Sequence, residues 1–325
     1  MSVLTSSHLK NTSSSEEMTH TWGILGGGFG LYGYLPALAG LKNTKVVVLE
    51  KHLPFLESRS ELKRYAPIIR LVKSRDDILS QADSLIFSVP PRIQEELLRQ
   101  IDPIQRYKFL VLEKPLAATP EAAVAILKKG IEIASFVRVG YSFLHSTWGE
   151  TIRQSDLLLS AGDCKVSWKF FAHHFRSQMI SWKGDHELGG GALRFYGIHL
   201  IAYFESINQT VVEYSRLICD QYGAPARWHA RFKIHNGARI TVDLDSRSQI
   251  ELFEIHTSND VCNFKILNIF SGESSENDED SRIPVLKRFL ETLGSSNDEI
   301  YKFYYRVNQL WAEVEKITEW VSIDE

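Results

Sequence analysis

The 325-residue chain is poor in cysteine. Cys164, Cys219 and Cys262 are its only three, widely spaced and without a Cys-x-x-Cys pair. An odd, scattered set excludes a disulfide framework and a structural zinc site, and it suits a reducing compartment. A surplus of positive charge is also missing. The 37 Lys and Arg face 40 Asp and Glu, a formal net charge of −3. Nothing there drives binding to a phosphate backbone, so nucleic acid is not an expected partner. No run of about 18 apolar residues occurs, and the opening MSVLTSSHLKNTSSSEEMTH lacks the apolar core of an export signal. The expectation is a cytoplasmic protein with no membrane partner. What remains is ordinary globular composition, 44% hydrophobic and 24% charged. That apolar content can offset the entropy of ordering the chain, and the length suits two domains.

The pattern along the chain separates those domains. Residues 1–19 are Ser/Thr-rich and read as a mobile tail. From 20 to 142, short apolar runs (HTWGIL, TKVVVL, PIIRLV, SLIFSV, YKFLVL and FVRVGY) alternate with helical stretches such as PRIQEELLRQ and PEAAVAILKKGIEI. Runs apolar on both faces and joined by helices predict a parallel sheet covered on both sides, a doubly wound α/β domain of the Rossmann type. From 143 to 325 the pattern changes. Residues 143–160 read as a helix. Segments 164–175, 211–219, 226–234, 237–245 and 250–270 read as longer strands without helical crossovers, with Asn236-Gly237 as a hairpin turn. This predicts an α+β domain with a mostly antiparallel open sheet, its free face offering an apolar surface. The acidic SGESSENDEDSR at 271–282 reads as a solvated loop. The end, IYKFYYRVNQLWAEVEKITEW, reads as one aromatic-rich packing helix.

TWGILGGGFGLYG runs from a strand through glycines into a helix. A dinucleotide pyrophosphate sits on backbone N–H groups at such a helix start, where side chains would block its approach. Two registers fit. Gly28-x-Gly30-x-x-Gly33 matches the whole fingerprint; Gly26-x-Gly28 abuts the strand better but puts Leu31 at the third glycine. The Gly26 register is favoured, with Phe29 inside the turn and Gly30 also near the phosphates. Glu50 lies 22 residues beyond Gly28, at a strand end where a carboxylate can accept from an adenosine ribose hydroxyl. It favours NAD. Lys51 and His52 beside it can offset its charge, so NADP stays open.

At FSVPP (87–91) and LEKPLA (112–117) the chain resembles the glucose–fructose oxidoreductase / inositol dehydrogenase / MocA family. GILGGGFGLYGYLPAL is similar to that family's opening turn. Ser88-Val89-Pro90-Pro91 resembles its Thr-Pro-Pro, which lines the nicotinamide-side ribose. Glu113-Lys114-Pro115 matches its Glu-Lys-Pro, whose lysine contacts the substrate hydroxyl and the cofactor ribose and whose proline often follows a cis bond. WKGDHELGGGALRFYGIHLI (182–201) resembles its Trp-x-x-Asp…Gly-Gly-Gly-x-Leu-x-Asp-x-Gly-x-His segment, which carries Asp185 and His199 over. The resemblance implies an NAD(P)-dependent oxidoreductase acting on a sugar, sugar derivative or sugar nucleotide. It also implies a homodimer or homotetramer assembled through the second sheet.

Five positions depart from the family. Its Asp four residues before the His falls on Phe195, the His after its Pro-Pro on Gln94, and another common acid on Ala202. Its Tyr-x-x-Arg-Phe becomes Tyr141-Ser-Phe-Leu144-His145. Hydride transfer from an alcohol needs a base for the hydroxyl proton, and the reverse needs an acid. His199 suits that role, with Tyr196 and Phe195 three and four residues before it on one helical face. Without the carboxylate its imidazole pKa should fall, against an apolar wall at Phe195. Lys114, at the carboxyl end of a buried strand, points into the crevice where ligands bind. The expected catalytic set is Lys114, His199 and Tyr196, with Asp185, Phe195 and Tyr141 toward the substrate. His173-His174 and His186 lack a complete ligand set, and the adjacent pair reads as strand neighbours; no metal is expected. The rival readings are a non-catalytic nucleotide-binding regulator or scaffold, favoured by the acid lost at Phe195, and a reductase of a non-sugar molecule.

Overall fold

The computed structural model describes residues 19–154, 162–177, 180–207, 210–258, 263–266, 269 and 280–322. The expected tail therefore lies almost wholly outside the described residues. The first sheet is built from β1 (His20–Leu25), β2 (Thr44–Leu49), β3 (Ile69–Val72), β4 (Ser84–Phe87), β5 (Tyr107–Leu112) and β6 (Ala134–Val139). All neighbours are parallel, in the order β3-β2-β1-β4-β5-β6. Every residue of β4 is buried, as a central strand covered on both faces requires. Local signals start the crossover helices. Ser74 and Asp77 close a reciprocal cap on the helix Arg75–Gln81, and Thr119 accepts from the Ala122 N–H ahead of Pro120–Ile133. The strand order reverses between β1 and β4, which leaves a crevice at their carboxyl ends.

The second sheet holds β7 (Cys164–Phe171), β8 (Thr210–Cys219), β9 (Pro225–Ile234), β10 (Arg239–Asp245), β11 (Arg247–Thr257), β12 (Asn263–Ile266) and β13 (Thr318–Ser322), in the order β12-β11-β7-β10-β9-β8-β13. It is mostly antiparallel; only β7–β10 and β8–β13 run parallel. The β9–β10 hairpin turns at Asn236-Gly237, where Gly237 takes φ 90°. Along β9, Trp228, Ala230 and Phe232 face inward while Arg227, Arg231 and Lys233 are exposed. The helix Ile198–Ile207 covers the inner face, its Phe204 ring 5.3 Å from that of Phe232.

Several expectations are corrected. The free face of this sheet is not apolar. Cross-strand ion pairs cover it: Arg231 and Arg239 on Glu213, Lys169 and His229 on Asp243, Arg227 on Asp245, and Lys265 on Glu254. The alternation of β9 and β10 puts charge outward as regularly as it puts aromatics inward. The closing helix, Asn297–Ile317, stops three residues before Trp320, and Trp320 lies in β13 on the β8 edge. Residues 143–160 open with a short 3-10 turn, Ser142–His145, before the helix Thr147–Gln154; 155–161 lie outside the described residues. The single strand expected over 250–270 is split between β11 and β12.

The chain also returns to the first domain. Leu286, Phe289 and Leu290 of the helix Ile283–Glu291 share one core with Trp22, Ile24 and Leu31. On Asn297–Ile317 the Tyr301 and Tyr304 hydroxyls accept from the Val137 and Val139 N–H groups, which satisfies the open edge of β6.

Candidate active site

Past Leu25 the chain turns at Gly26 with φ 136°, and a Cβ there would stand 2.1 Å from the Ser88 carbonyl oxygen. Any side chain is excluded by backbone. Gly30 backs onto Ile24 and Ser88. A Cβ on Gly28 would instead meet nothing within 4 Å. That glycine faces open space, and its carbonyl accepts from the Leu31 N–H as the helical run Gly30–Leu38 begins. Leu31 is fully buried in the core between helix and sheet, so the third glycine position is filled by packing here.

The backbone of Gly26–Phe29 borders a cavity of about 1100 Å³ between the two sheets. Ser88, Val89, Pro90, Glu113 and Lys114 line it from the carboxyl ends of β4 and β5. Trp168 and Phe170 from β7, with Trp182, Lys183, Phe195, Tyr196 and His199, line the opposite wall. A cleft between two sheets, with aromatic walls and a few convergent polar groups, is the usual setting of a small-molecule site.

The loop that carries Lys114 is clamped. Gln94, fully buried on the helix Pro91–Arg99, accepts from the Glu113 N–H (3.1 Å) and donates to the Glu113 and Leu116 carbonyls (3.0 and 2.8 Å). The Lys114–Pro115 peptide is cis. The Tyr34 hydroxyl donates to the Glu113 carboxylate at 2.6 Å. Burial pushes the Glu113 carboxyl up, against the Tyr34 hydrogen bond and the Lys114 charge. Lys114 Nζ donates to the Phe195 carbonyl at 2.8 Å and lies 3.7 Å from the centre of the Phe195 ring. Burial draws the Lys114 ammonium down to about 7, with Glu113 opposing and Lys183 and Arg282 assisting. The Phe195 ring thus holds the Lys114 ammonium through its π face.

His199, on the helix Ile198–Ile207, is buried and stacks on Phe143 with ring centres 4.7 Å apart. Its pKa lies well below the ordinary value. Burial is the main cause, followed by the Lys114 and Arg282 charges, so the imidazole is neutral at neutral pH. Burial raises the Tyr196 phenol, which stays protonated, its ring edge-on to Phe170 and Trp168.

Not every expected residue joins this group. Tyr141 is in the core against Tyr304, outside the cavity lining. Asp185 is exposed and caps the turn His186–Leu188, beside a separate depression near Trp320. Glu50 and Lys51 stand exposed in the turn after β2, outside the lining; Gly30, buried at the start of its helical run, also lies outside it. His52 is closer, its imidazole against Gly27. His173 and His174 are not strand neighbours. They open the short helix His173–Arg176, with His173 exposed at the cavity and His174 buried. Among the described residues no group of three or more His, Cys, Asp or Glu is placed to hold a metal, and no helix is long and apolar enough to cross a membrane.

Other lining residues escaped the sequence reading. Arg282 stacks over Phe29 (4.2 Å) and pairs with Asp280 (2.7 Å); Arg59 stacks over Tyr32 (5.1 Å). Of the segment read as a solvated acidic loop, residues 271–279 lie outside the described residues. Asp280–Arg282 do not face bulk solvent alone but reach the cavity. Lys183 was within reach of the sequence, since it sits in the Trp182–Asp185 match.

No protein-family model matches the chain, and no curated protein matches it in sequence. Solved structures do match in shape. KijD10, a 3-ketoreductase from Actinomadura kijaniata solved with NADP and TDP-benzene, superposes with a TM-score of 0.67 at 14% identity over 94% of this chain and 99% of its own. GenD2 from gentamicin A biosynthesis, solved with NAD, gives 0.72 at 12% identity over 97% of each chain. A D-galactose-1-dehydrogenase from Rhizobium etli gives 0.71 at 15% identity over 95% of this chain and 98% of its own. The chain therefore shares the fold of these structures, a six-stranded parallel sheet followed by a mostly antiparallel seven-stranded one, as the resemblance implied.

Proposed function

We propose that the cavity binds NAD, with NADP as the alternative, and that the protein is an oxidoreductase. Its substrate is a hydroxyl or carbonyl group of a sugar, sugar derivative or sugar nucleotide. The observation that carries this reading is Lys114: a cavity-lining ammonium held near 7, opposite a neutral His199 and next to a glycine turn that presents bare backbone. The residues present fit the cofactor, because Gly28 leaves open the space a side chain would fill. Gly26, Gly28 and Phe29 would take its pyrophosphate, and Ser88, Val89, Pro90 and Glu113 the nicotinamide-side ribose. Glu50, with Lys51 beside it, would take the adenosine ribose. A similarly folded 3-ketoreductase solved with NADP and the similarly folded GenD2 solved with NAD support the assignment.

When bound, the nicotinamide gives or takes the hydride. The chain supplies the proton chemistry. An acid–base group works best with a pKa near the working pH, and Lys114 meets that condition better than His199. As the free amine, Lys114 accepts the hydroxyl proton in oxidation; as the ammonium, it returns a proton to the carbonyl oxygen in reduction. His199 and the protonated Tyr196 orient the same oxygen by hydrogen bonding, and Phe195 with the tryptophans keeps water away from it.

Calorimetry with NAD(H) and NADP(H), then cofactor absorbance with a panel of sugars and sugar nucleotides, tests the reading. Lys114→Ala should lose about 2 kcal/mol or more of transition-state stabilisation, the scale of an electrostatic donor lost from a site. Absence of binding by either cofactor at millimolar concentration overturns the proposal. The reducing cytoplasm is the proposed location, in keeping with the free thiols of Cys164 and Cys219. Self-association is proposed through the outer face of the second sheet. Its ion-pair ladder makes that contact salt-sensitive, and light scattering at low and high ionic strength reads it.

A further inference from the structure

The chain as a whole is slightly acidic, but the cavity is not. Its lining holds five Lys or Arg residues against three Asp or Glu. Four of the five cations have a carboxylate to balance them. Arg59 pairs with Glu61, Lys169 with Asp243 and Arg282 with Asp280, and Lys114 follows Glu113 in the chain and is stabilised by its charge. Lys183 is the exception. Among the described residues no ion pair is formed by it, although its side chain is half-buried at the cavity wall. Its Nζ lies 5.5 Å from the centre of the Phe195 ring, the same ring that Lys114 approaches to 3.7 Å. Burial lowers its pKa, and the Arg282 charge adds to that.

A half-buried ammonium without a carboxylate costs free energy that the fold does not recover by itself. Glu251, the one other acid at the cavity, is exposed on β11. From this charge arrangement we infer that the substrate carries an anionic group, a carboxylate or a phosphoryl group, and that Lys183, beside the same Phe195 ring as Lys114, binds it while Lys114 meets the reacting hydroxyl. The inference rests on the proposed hydride-transfer reading and narrows its substrate class. Lys183 is a specificity residue: it holds the charged end of the molecule, while Lys114 works at the reacting end. A charge-assisted hydrogen bond in such a place should favour the anion by about 10- to 100-fold over a neutral analogue.

Three probes that differ at one carbon test this: D-glucose, D-glucuronate and D-glucose 6-phosphate. Trp168 and Trp182 line the cavity, so tryptophan fluorescence with saturating cofactor reads binding without requiring turnover. One or both anions should bind at least tenfold more tightly than glucose, and that advantage should shrink as ionic strength rises. Whichever anion binds more tightly identifies the group. Lys183→Met should remove the preference, and Lys183→Glu should reverse it, with far-UV circular dichroism and cofactor affinity confirming that each variant folds. Glucose binding as tightly as both anions, no binding by any of the three, or a preference that survives Lys183→Glu each overturns the inference. Loss of cofactor binding in the parent protein would instead overturn the hydride-transfer reading, so the two failures are distinct.

Discussion

Replacing Phe195 tests how the site sets the protonation of Lys114. The ammonium stands 3.7 Å from the ring centre and its pKa is about 7. A partly desolvated cation–π contact of this kind is worth about 2 kcal/mol. In Phe195→Asp that contact is lost and a carboxylate takes its place. At an effective dielectric of about 20, a carboxylate about 4 Å away favours the ammonium by about 4 kcal/mol. The net gain of about 2 kcal/mol, at about 1.4 kcal/mol per pKa unit, moves Lys114 to about 8.5. Phe195→Leu removes the ring and adds no charge, so it should move Lys114 the other way, below 7. NMR titration of reductively methylated protein follows the lysine directly and needs no substrate. Once a substrate is known, the rising limb of kcat/KM for oxidation should shift with it, because oxidation needs the free amine. An unchanged or lower pKa in Phe195→Asp, or a higher one in Phe195→Leu, refutes the reasoning.

Other outcomes follow from the same geometry. Gly28→Ala should leave the melting temperature unchanged and weaken NAD binding by about tenfold or more, because its Cβ enters only the open space over the turn. Gly26→Ala should lower the melting temperature as well, since its Cβ collides with the Ser88 carbonyl; calorimetry and thermal denaturation separate the two. Gln94→Leu takes the Gln94 amide away from the Glu113 and Leu116 carbonyls, at about 1–3 kcal/mol for each group left unsatisfied, while the Glu113 N–H keeps its bond to the Phe87 carbonyl (3.2 Å); denaturant unfolding should show the loss. Lys114→Met should stabilise the fold at neutral pH while abolishing activity. In the parent, burial depresses the folded pKa to about 7 from the ordinary lysine value of 10.5. The unfolded chain therefore binds the extra proton between those two values, and stability rises with pH across that window. The variant should lack that rise in unfolding curves taken from pH 7 to 10.

Much of this architecture could be read residue by residue. The strands of the first sheet are legible because burial on both faces demands unbroken apolar runs, as in Ser84–Phe87. The β9–β10 hairpin is legible from its alternation and from Asn236-Gly237, and Gly26 and Gly28 from the backbone requirement of the turn. Lys114 is legible because a strand end in a parallel sheet opens into the crevice. Tyr141, Asp185, β13 and Arg282 were not. Tyr141 also follows a strand of that sheet, but its side chain is taken up by Tyr304, 163 residues away in the chain. Thr318–Ser322 continues a helical pattern and becomes a strand only because the β8 edge is there to pair with. Arg282 reaches the cavity because the chain returns to pack Leu286 and Phe289 on the first sheet. The protonation of Lys114 belongs to the same class; the fall in the His199 pKa was expected from the sequence, but its main cause, burial, came from the fold. Periodicity, turn chemistry and strand ends are local properties, written in neighbouring residues. Burial, charge balance and the direction of a side chain depend on groups brought together from distant parts of the chain, and those were decided by the tertiary structure alone.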